Sequence, residues 1–398
     1  MLKESASMDW PLVSVVTPSY NSAHFIERTI LSVQRQDYPN VEHIIVDGDS
    51  TDGTLDILRR YPHLKWISEP DQGQSDALNK GFRRAQGKVI GWLNADDTYN
   101  LHAITEAVRY LNQHPNTAAV FSRCNVIDEN DQVGYTLDAP PFSLAQDLLV
   151  HRVPQPATFM RRDALEAVGY LDAELHYVMD RDLFLKLGYR GQLDNVDAIW
   201  ANFRECEGTK TITHPQRFWV ETLGVFDRFF ALPDLPPAVY AVQANAYARA
   251  YWMAGILLFT MLDDVDAQAT GQEYCAQALA RYPLLAKDIT FVAEQLTHWA
   301  ITRVGSEDAE HYVRVVLQSL DLSERERQKA TQRVLGHLYA ALSLTQGNTV
   351  TSHEATDSEL HRLWLSRAIR HDPRWLRNRG IQSQLLREVL RATRRVTQ

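Results

Sequence analysis

Short apolar runs alternate with stretches in which apolar residues recur every three or four positions, from Val13 to about Phe121. That alternation predicts βαβ units and a largely parallel sheet. Residues 13–17 read as the first strand, ended by Pro18, residues 41–46 as the second and 64–67 as the third. Val89, Ile90, Trp92 and Leu93 read as a fourth, apolar on both faces as a buried parallel strand must be. Residues 118–121 begin a further strand. Between the strands, Ile26, Ile30 and Val33 share one helix face, with Ser22 placed to cap it. Leu55 and Leu58 open another helix, residues 74–85 form a third, and Leu101, Ile104, Val108 and Leu111 stripe a fourth behind Asn100. Phe218, Trp219, Leu223, Phe226 and Phe230 suggest one more amphipathic helix before a linker marked by Pro233, Pro236 and Pro237. From Ala238 onward the periodicity is helical with no strand run, and Leu360, Trp364 and Ala368 fall at i, i+4 and i+8. Residues 368–373 look like a tetratricopeptide-type helix boundary, without a clean repeat period. The pattern thus predicts an α/β domain over 1–231 and an α-helical domain over 238–398, of helical-hairpin or tetratricopeptide-like kind.

Each expected strand end is followed by polar residues, and in open α/β sheets ligands bind at that edge. The sharpest such end is Asn94-Ala95-Asp96-Asp97, just past the fourth strand. Two adjacent carboxylates repel strongly unless a cation or a proton lies between them. One reading is a divalent metal holding a phosphate; the other is an Asp-rich turn that caps the next helix. Composition bounds the choice. A chain of 398 residues has room for about two domains. With 45% hydrophobic and 23% charged residues it has the material for sizeable cores, and a net charge of −9 argues against a nucleic-acid binder with a basic surface. Cys124, Cys206 and Cys275 are odd in number and widely spaced, which suggests a reducing compartment and no disulfide framework. No basic segment followed by an apolar core is visible at the start, so no signal peptide is expected. Residues 250–262 are the most membrane-like run, but they fall short of the ~20 apolar residues a spanning helix needs. A cytoplasmic protein is expected.

Four motifs in order carry a family resemblance: Val13-Ser14-Val15-Val16-Thr17-Pro18-Ser19-Tyr20-Asn21, the turn from Asp47 to Thr54, the turn from Asn94 to Asp97, and Met179-Asp180-Arg181-Asp182-Leu183. Together they resemble glycosyltransferase family 2 over roughly residues 10–215. The resemblance implies the GT-A, or nucleotide-diphospho-sugar transferase, fold: a Rossmann-like, mostly parallel sheet, here followed by the helical domain. It also implies an inverting transferase that moves a sugar from a nucleotide diphosphate (UDP, GDP or dTDP) to a hydroxyl of a glycan or lipid-linked acceptor, as in bacterial surface polysaccharide synthesis. The rival from another class is a non-catalytic sugar-nucleotide-binding or scaffold protein whose helical domain recruits partners. A nucleotidyltransferase would lean on a Gly-rich, basic phosphate loop, which residues 17–21 do not supply.

By the same resemblance, Thr17, Pro18 and Tyr20 line the nucleotide pocket and Asp47 meets the base or ribose. The family commonly has a second Asp directly after that one, whereas this chain has Gly48 and then Asp49. Many members show Asp-x-Asp at the central turn. Here the first position is Asn94, whose amide can bond the ribose or a metal-bound water, and Asp96 is left to coordinate magnesium or manganese. Asn79 and Lys80, in the third nucleotide-proximal segment, either face the phosphates or point outward from a helix turn. Arg204 and Lys210 bring positive charge near the departing diphosphate. Relatives often carry a His where Cys206 aligns, and Cys206, a poor ligand for magnesium, reads as a small apolar residue in a turn. Gln155 and Pro156 line the acceptor side. Direct inversion needs a base to take the acceptor's proton, and by position in the family pattern that base is Asp180, with Asp182 capping the following helix or supporting Asp180. The C-terminal run of Arg362, Arg367, Arg370, Arg374, Arg377 and Arg379, then Arg387, Arg391, Arg394 and Arg395, reads either as a solvated surface or as a peripheral contact with anionic lipid at the inner membrane face.

Overall fold

The computed structural model describes residues 10–206, 215–261, 264–346, 356–378 and 381–382. The chain divides into two compact units, residues 1–243 and 244–398. The first is built on a mixed sheet. Its parallel half comprises β1 (Val13–Ser19), β2 (Val41–Asp47), β3 (Lys65–Ser68) and β4 (Val89–Trp92), in the order β3-β2-β1-β4. β8 (Thr158–Arg161) runs antiparallel to β4 and leads to β6 (Thr117–Ile127), β9 (Gln192–Arg204) and the short β5 (Thr98–Tyr99). β7 (Val133–Leu137) pairs with β6 as a hairpin.

The parallel half obeys the apolar runs, since every residue of β1 and β4 is buried. Register aligns Ser19 with Asp47 and Val16 with Trp92, so the carboxyl ends of β1, β2 and β4 share one edge. Behind that edge, Leu93, Tyr99, Ile104, Val108, Leu111, Val120, Phe159 and Trp200 belong to one buried cluster. Each such large apolar side chain contributes about 1.5–3 kcal/mol by leaving water, which makes the strand ends a rigid platform.

Helix starts differ from the expected caps. α1 is Ile26–Gln34, and Ser22 supports it through its carbonyl, which accepts from Phe25 and Ile26, while its hydroxyl bonds the Tyr20 carbonyl. α2 is Thr54–Arg59, and α3, Gln74–Arg84, lies where the pattern put it. α4 is Ala103–Gln113, and Asn100 does not cap it; its amide donates to the Ile199 carbonyl and its oxygen accepts from Asn202, which ties β5 to β9. α5 (Leu144–Leu149) and α6 (Arg162–Ala167) precede α7 (Met179–Arg190), and a long helix follows at Pro215–Phe230. Short polar side chains sit at the forecast positions but bond elsewhere, Ser22 to a neighbouring carbonyl and Asn100 across the fold, because a carbonyl satisfies them as well as a helix end does.

The second unit is helical. Trp252, Ile256, Cys275, Tyr312, Val316, Leu335 and Leu338 are among its buried side chains, and Trp364 and Ala368 of the expected stripe are buried too. Two helices meet closely where a Cβ on Gly255 would stand 2.8 Å from the Gly271 carbonyl, so the crossing admits no side chain there. Among the described residues no helix is long and apolar enough to cross a membrane. Arg379, Arg387, Arg391, Arg394 and Arg395 lie outside the described residues, as does Lys210.

Candidate active site

A cavity of about 1390 Å³ opens at the carboxyl edge of the parallel half. It gathers most of the candidates: Pro18 near the end of β1 and Tyr20 just past it, Asp49 after β2, Asn94 and Asp96 after β4, Gln155 and Pro156 before β8, and Asp180 at the start of α7. Thr17, Asp47, Asn79, Lys80 and Arg204 are not among its lining residues. Their side chains are engaged in holding the walls. Thr17 is fully buried and hydrogen-bonds His43, a ring that burial keeps neutral by lowering its pKa to about 3. Asp47 is fully buried and accepts from Ser50 N (2.9 Å), Ser50 Oγ (2.6 Å) and Ser68 Oγ (2.8 Å), which locks the turn. Asn79 exchanges hydrogen bonds with the backbone of Leu171, and Lys80 pairs with Glu69 and Asp76.

The turn after β2 explains its own departure. A Cβ at Gly48 would lie 2.6 Å from Asp71 Oδ2, so residue 48 and Asp71 share the space of one carboxylate. Here Asp71, at the start of the α3 loop, fills it and also accepts from Gly73 N. Asp49 follows with a left-handed φ of 66°, exposed in the cavity wall.

Asn94 is a saturated hub. Its Oδ1 accepts from Trp92 Nε1 (2.8 Å) and Gln74 Nε2 (2.9 Å), and its Nδ2 donates to Asp97 Oδ2 and Gln155 Oε1, both at 3.1 Å. The amide therefore holds four protein groups rather than standing free for a ribose or a metal-bound water. Gln155 is drawn into the same hub, donating to the Trp92 carbonyl at 2.6 Å. An Asp at position 94 would lose both donated bonds and set a third carboxylate against the buried Asp97. We expect Asn94→Asp to lower stability by about 1–3 kcal/mol, the cost of unsatisfied buried groups, read as a lower thermal midpoint in chelator. An unchanged midpoint would show that the hub contributes nothing.

Asp97 is fully buried, and burial first, then the neighbouring Asp96 charge, pushes its acid well above the ordinary range. Burial also raises Asp96, against the pull of its own backbone N–H and of Arg204. Arg204, wholly buried, is the lock on this turn. Its backbone N donates to Asp97 Oδ1 (2.9 Å), its Nε to the Asp96 carbonyl (2.9 Å), and its Nη atoms to the Asp128 carbonyl and Asp131, while the guanidinium lies 4.5 Å from the centre of the Phe25 ring. The expectation that Arg204 meets a diphosphate is thus corrected: its bonds are spent on the turn and on the β6–β7 connection, and it does not line the cavity.

Among the described residues no group of three or more His, Cys, Asp and Glu side chains converges as a metal cage. Asp96 nevertheless suits a divalent ion. Its carboxylate reaches the cavity, accepts no hydrogen bond from another described residue, and carries a desolvation cost that a cation would relieve. Such an ion needs further oxygen ligands from water or phosphate. Cys206 also lines the cavity.

Asp180 opens α7, where Oδ1 accepts from Arg181 N at 2.8 Å. Asp182 neither caps the helix nor supports Asp180; it pairs with Lys186 at 2.9 Å. The helix start is instead held by Glu221, whose carboxylate accepts from the backbone N–H groups of His176, Tyr177 and Val178 at 2.7–3.2 Å. An anion there also suits the positive end of the helix. Beside Asp180 lies His151, hydrogen-bonded through Nδ1 to Asp147. Burial opposes its charge, but Asp147 and Asp180 outweigh that and raise its pKa to about 9. The stability it adds is full below its ordinary 6.5 and is lost as pH rises through about 9. Asp147, His151 and Glu221 carry no local pattern of their own in the sequence, because each acts on α7 from a distant segment.

Residues 14–169 match the profile of glycosyl transferase family 2. A Bacillus subtilis glycosyltransferase named for teichuronic acid biosynthesis, TuaG, is 41% identical over 107 residues, 25% of this chain and 42% of that protein. An uncharacterized glycosyltransferase of Nostoc sp. is 32% identical over 141 residues, 34% of this chain and 44% of the other. The chain thus spans less than half the length of these two relatives. Among solved structures, S. aureus TarS 1-349 in complex with UDP-GlcNAc shares the fold, with a TM-score of 0.57 at 19% identity, over 76% of this chain and 90% of that one.

Proposed function

We propose, on the match of residues 14–169 to the glycosyl transferase family 2 profile, that the cavity transfers a sugar, with inversion, from a nucleotide diphosphate to a hydroxyl of a glycan or lipid-linked acceptor. Surface polysaccharide synthesis is the process that the relatives' names favour. The observation that carries the reading is that Asp96, past the carboxyl end of a parallel strand, and Asp180, at the start of α7, line one cavity.

In this reading Tyr20, Asp49 and Asp71 lie on the donor side, Gln155 and Pro156 on the acceptor side, and Asp180 takes the acceptor's proton. Attack from the face opposite the leaving diphosphate inverts the anomeric centre. Asp96 would hold magnesium or manganese, which when bound neutralises the charge that grows on the diphosphate. Arg204 adds a fixed positive field behind the turn without touching the ligand. Asn94 and Gln155 keep the two sides in register.

A thermal-shift panel of UDP, GDP, dTDP and CDP, each with and without manganese, tests this. A ligand at a hundred times its Kd raises stability by about 2.7 kcal/mol. No shift with any nucleotide would overturn the reading. Asp96→Ala is expected to abolish the manganese-dependent part of the shift and leave the metal-free part, since only the bridge to the diphosphate is lost. A variant with the parental manganese response would remove Asp96 from the metal site.

A further inference from the structure

We propose that His151 is a positioning residue for the reaction: anchored on Asp147 through Nδ1, it presents Nε2–H to Asp180 and keeps that carboxylate aimed into the cavity. The inference rests on the glycosyl-transfer reading above. His151 lies in the same cavity wall as Asp180, with Nε2 3.7 Å from Asp180 Oδ2, an ion-pair distance just beyond a hydrogen bond. That Nε2 is buried and, among the described residues, has no hydrogen-bond partner. A buried donor without an acceptor is unfavourable, and a small approach of Asp180 would supply the acceptor. Catalytic contacts that are long in a free enzyme commonly tighten when the substrate binds.

The surroundings leave the ring little other use. Asp147 is almost fully buried, accepts from His151 Nδ1 at 3.1–3.2 Å and from Arg152 N, and fixes the tautomer. Phe184 of α7 stacks on the ring at 6.0 Å. The other charged group packed here from α7 is Arg181, fully buried, donating to the Asp147 and Leu148 carbonyls and lying 4.8 Å from the Phe226 ring centre. Arg181 thereby braces Asp147, and the order Asp147, His151, Asp180 runs from the interior to the cavity. The chemistry supplies a reason: a base that works beside a diphosphate must resist protonation by that negative field, and a cation at its back does this. When Nε2 loses its proton, the Nδ1–H remains on Asp147, and a lone pair then faces Asp180 in place of a donor. The high pKa of the ring, about 9, keeps the donor in place through neutral pH.

Two measurements on the full chain test this. The first follows the His151 ring by NMR and needs no substrate. The parent ring is expected to titrate near 9, and Asp180→Asn should lower that value by about one unit. An unchanged titration overturns the coupling. The second is the pH profile of turnover, with sugar nucleotides of whichever base the panel above identifies. The parent should lose kcat on an alkaline limb near pH 9, whereas His151→Gln should be about tenfold slower, with unchanged donor KM and no such limb. If the Gln variant does not fold, Asp147→Asn reads the same quantity, by moving the limb to lower pH. A Gln variant that keeps the limb, or loses only stability, reduces His151 to a packing residue. A parent that turns over no sugar nucleotide while Asp180→Asn still shifts the ring would sink the glycosyl-transfer reading, and this role with it, but not the coupling.

Discussion

Asp180→Asn is expected to lower transfer by about 10²–10⁴-fold, the range typical of losing a general base. The substitution keeps the size of the side chain and its bond from Arg181 N, so α7 should stay in place. What goes is the capacity to take a proton from the acceptor. Donor affinity should barely change, because the carboxylate acts on the other substrate, and the thermal shift with nucleotide and manganese should match the parent's. The product linkage formed by the parent should be inverted relative to the donor. A retained linkage, or an Asn variant working at the parental rate, would exclude Asp180 as the base. A parent that binds nucleotide and transfers nothing to any hydroxyl would favour a sugar-nucleotide-binding protein instead.

Arg204→Ala should have the largest effect on stability, about 3–5 kcal/mol, the range for removing one member of a buried charged network. The pair with Asp131 supplies little of this, since Asp131 is 53% exposed and water screens it. The cost arises where solvent cannot reach: the Asp96 carbonyl loses its donor, and Asp97, fully buried, loses the positive field that opposes its desolvation. Because a domain has only about 5–15 kcal/mol in total, the variant should show a much lower denaturant midpoint with little change in m. Arg204→Lys should rescue little, since an ammonium cannot replace a planar fork donating in several directions. A loss below about 1 kcal/mol would mean that the turn is held by its backbone alone.

The two substitutions separate chemistry from architecture within one cavity. Asp180 is partly exposed and bonded to its own helix, so its loss should be felt in rate. Arg204 faces no ligand, so its loss should be felt in folding. Any effect of Arg204→Ala on transfer should follow the displaced turn and fall on donor binding and kcat together.

The parallel half of the sheet was legible from the chain because its determinants are local. A fully buried parallel strand is largely apolar on both faces; residues 89–93 announce this directly, and the apolar runs within 13–17 and 41–46 follow it despite the buried Ser14, Thr17, Glu42 and His43. The strand-end acids were legible for the same reason: Asp96 follows an apolar run and must emerge at the ligand edge. What the chain could not reveal is which polar groups are already taken. Asn94, Asp47 and Arg204 carry the residue types of ligand contacts, yet each is engaged by partners far off in sequence: Asn94 with Gln155, Asp47 with Ser68, Arg204 with Asp97 and Asp131. The vacancy at Gly48 became intelligible only when Asp71 was found in its space. The setting of Asp180, with His151 behind it and Glu221 at the helix start, joins residues 29 and 41 positions away. Hydrophobic periodicity is written into neighbours and survives without the fold. Hydrogen-bond saturation and the charge around a buried acid depend on distances between segments, and those exist only once the tertiary structure has closed.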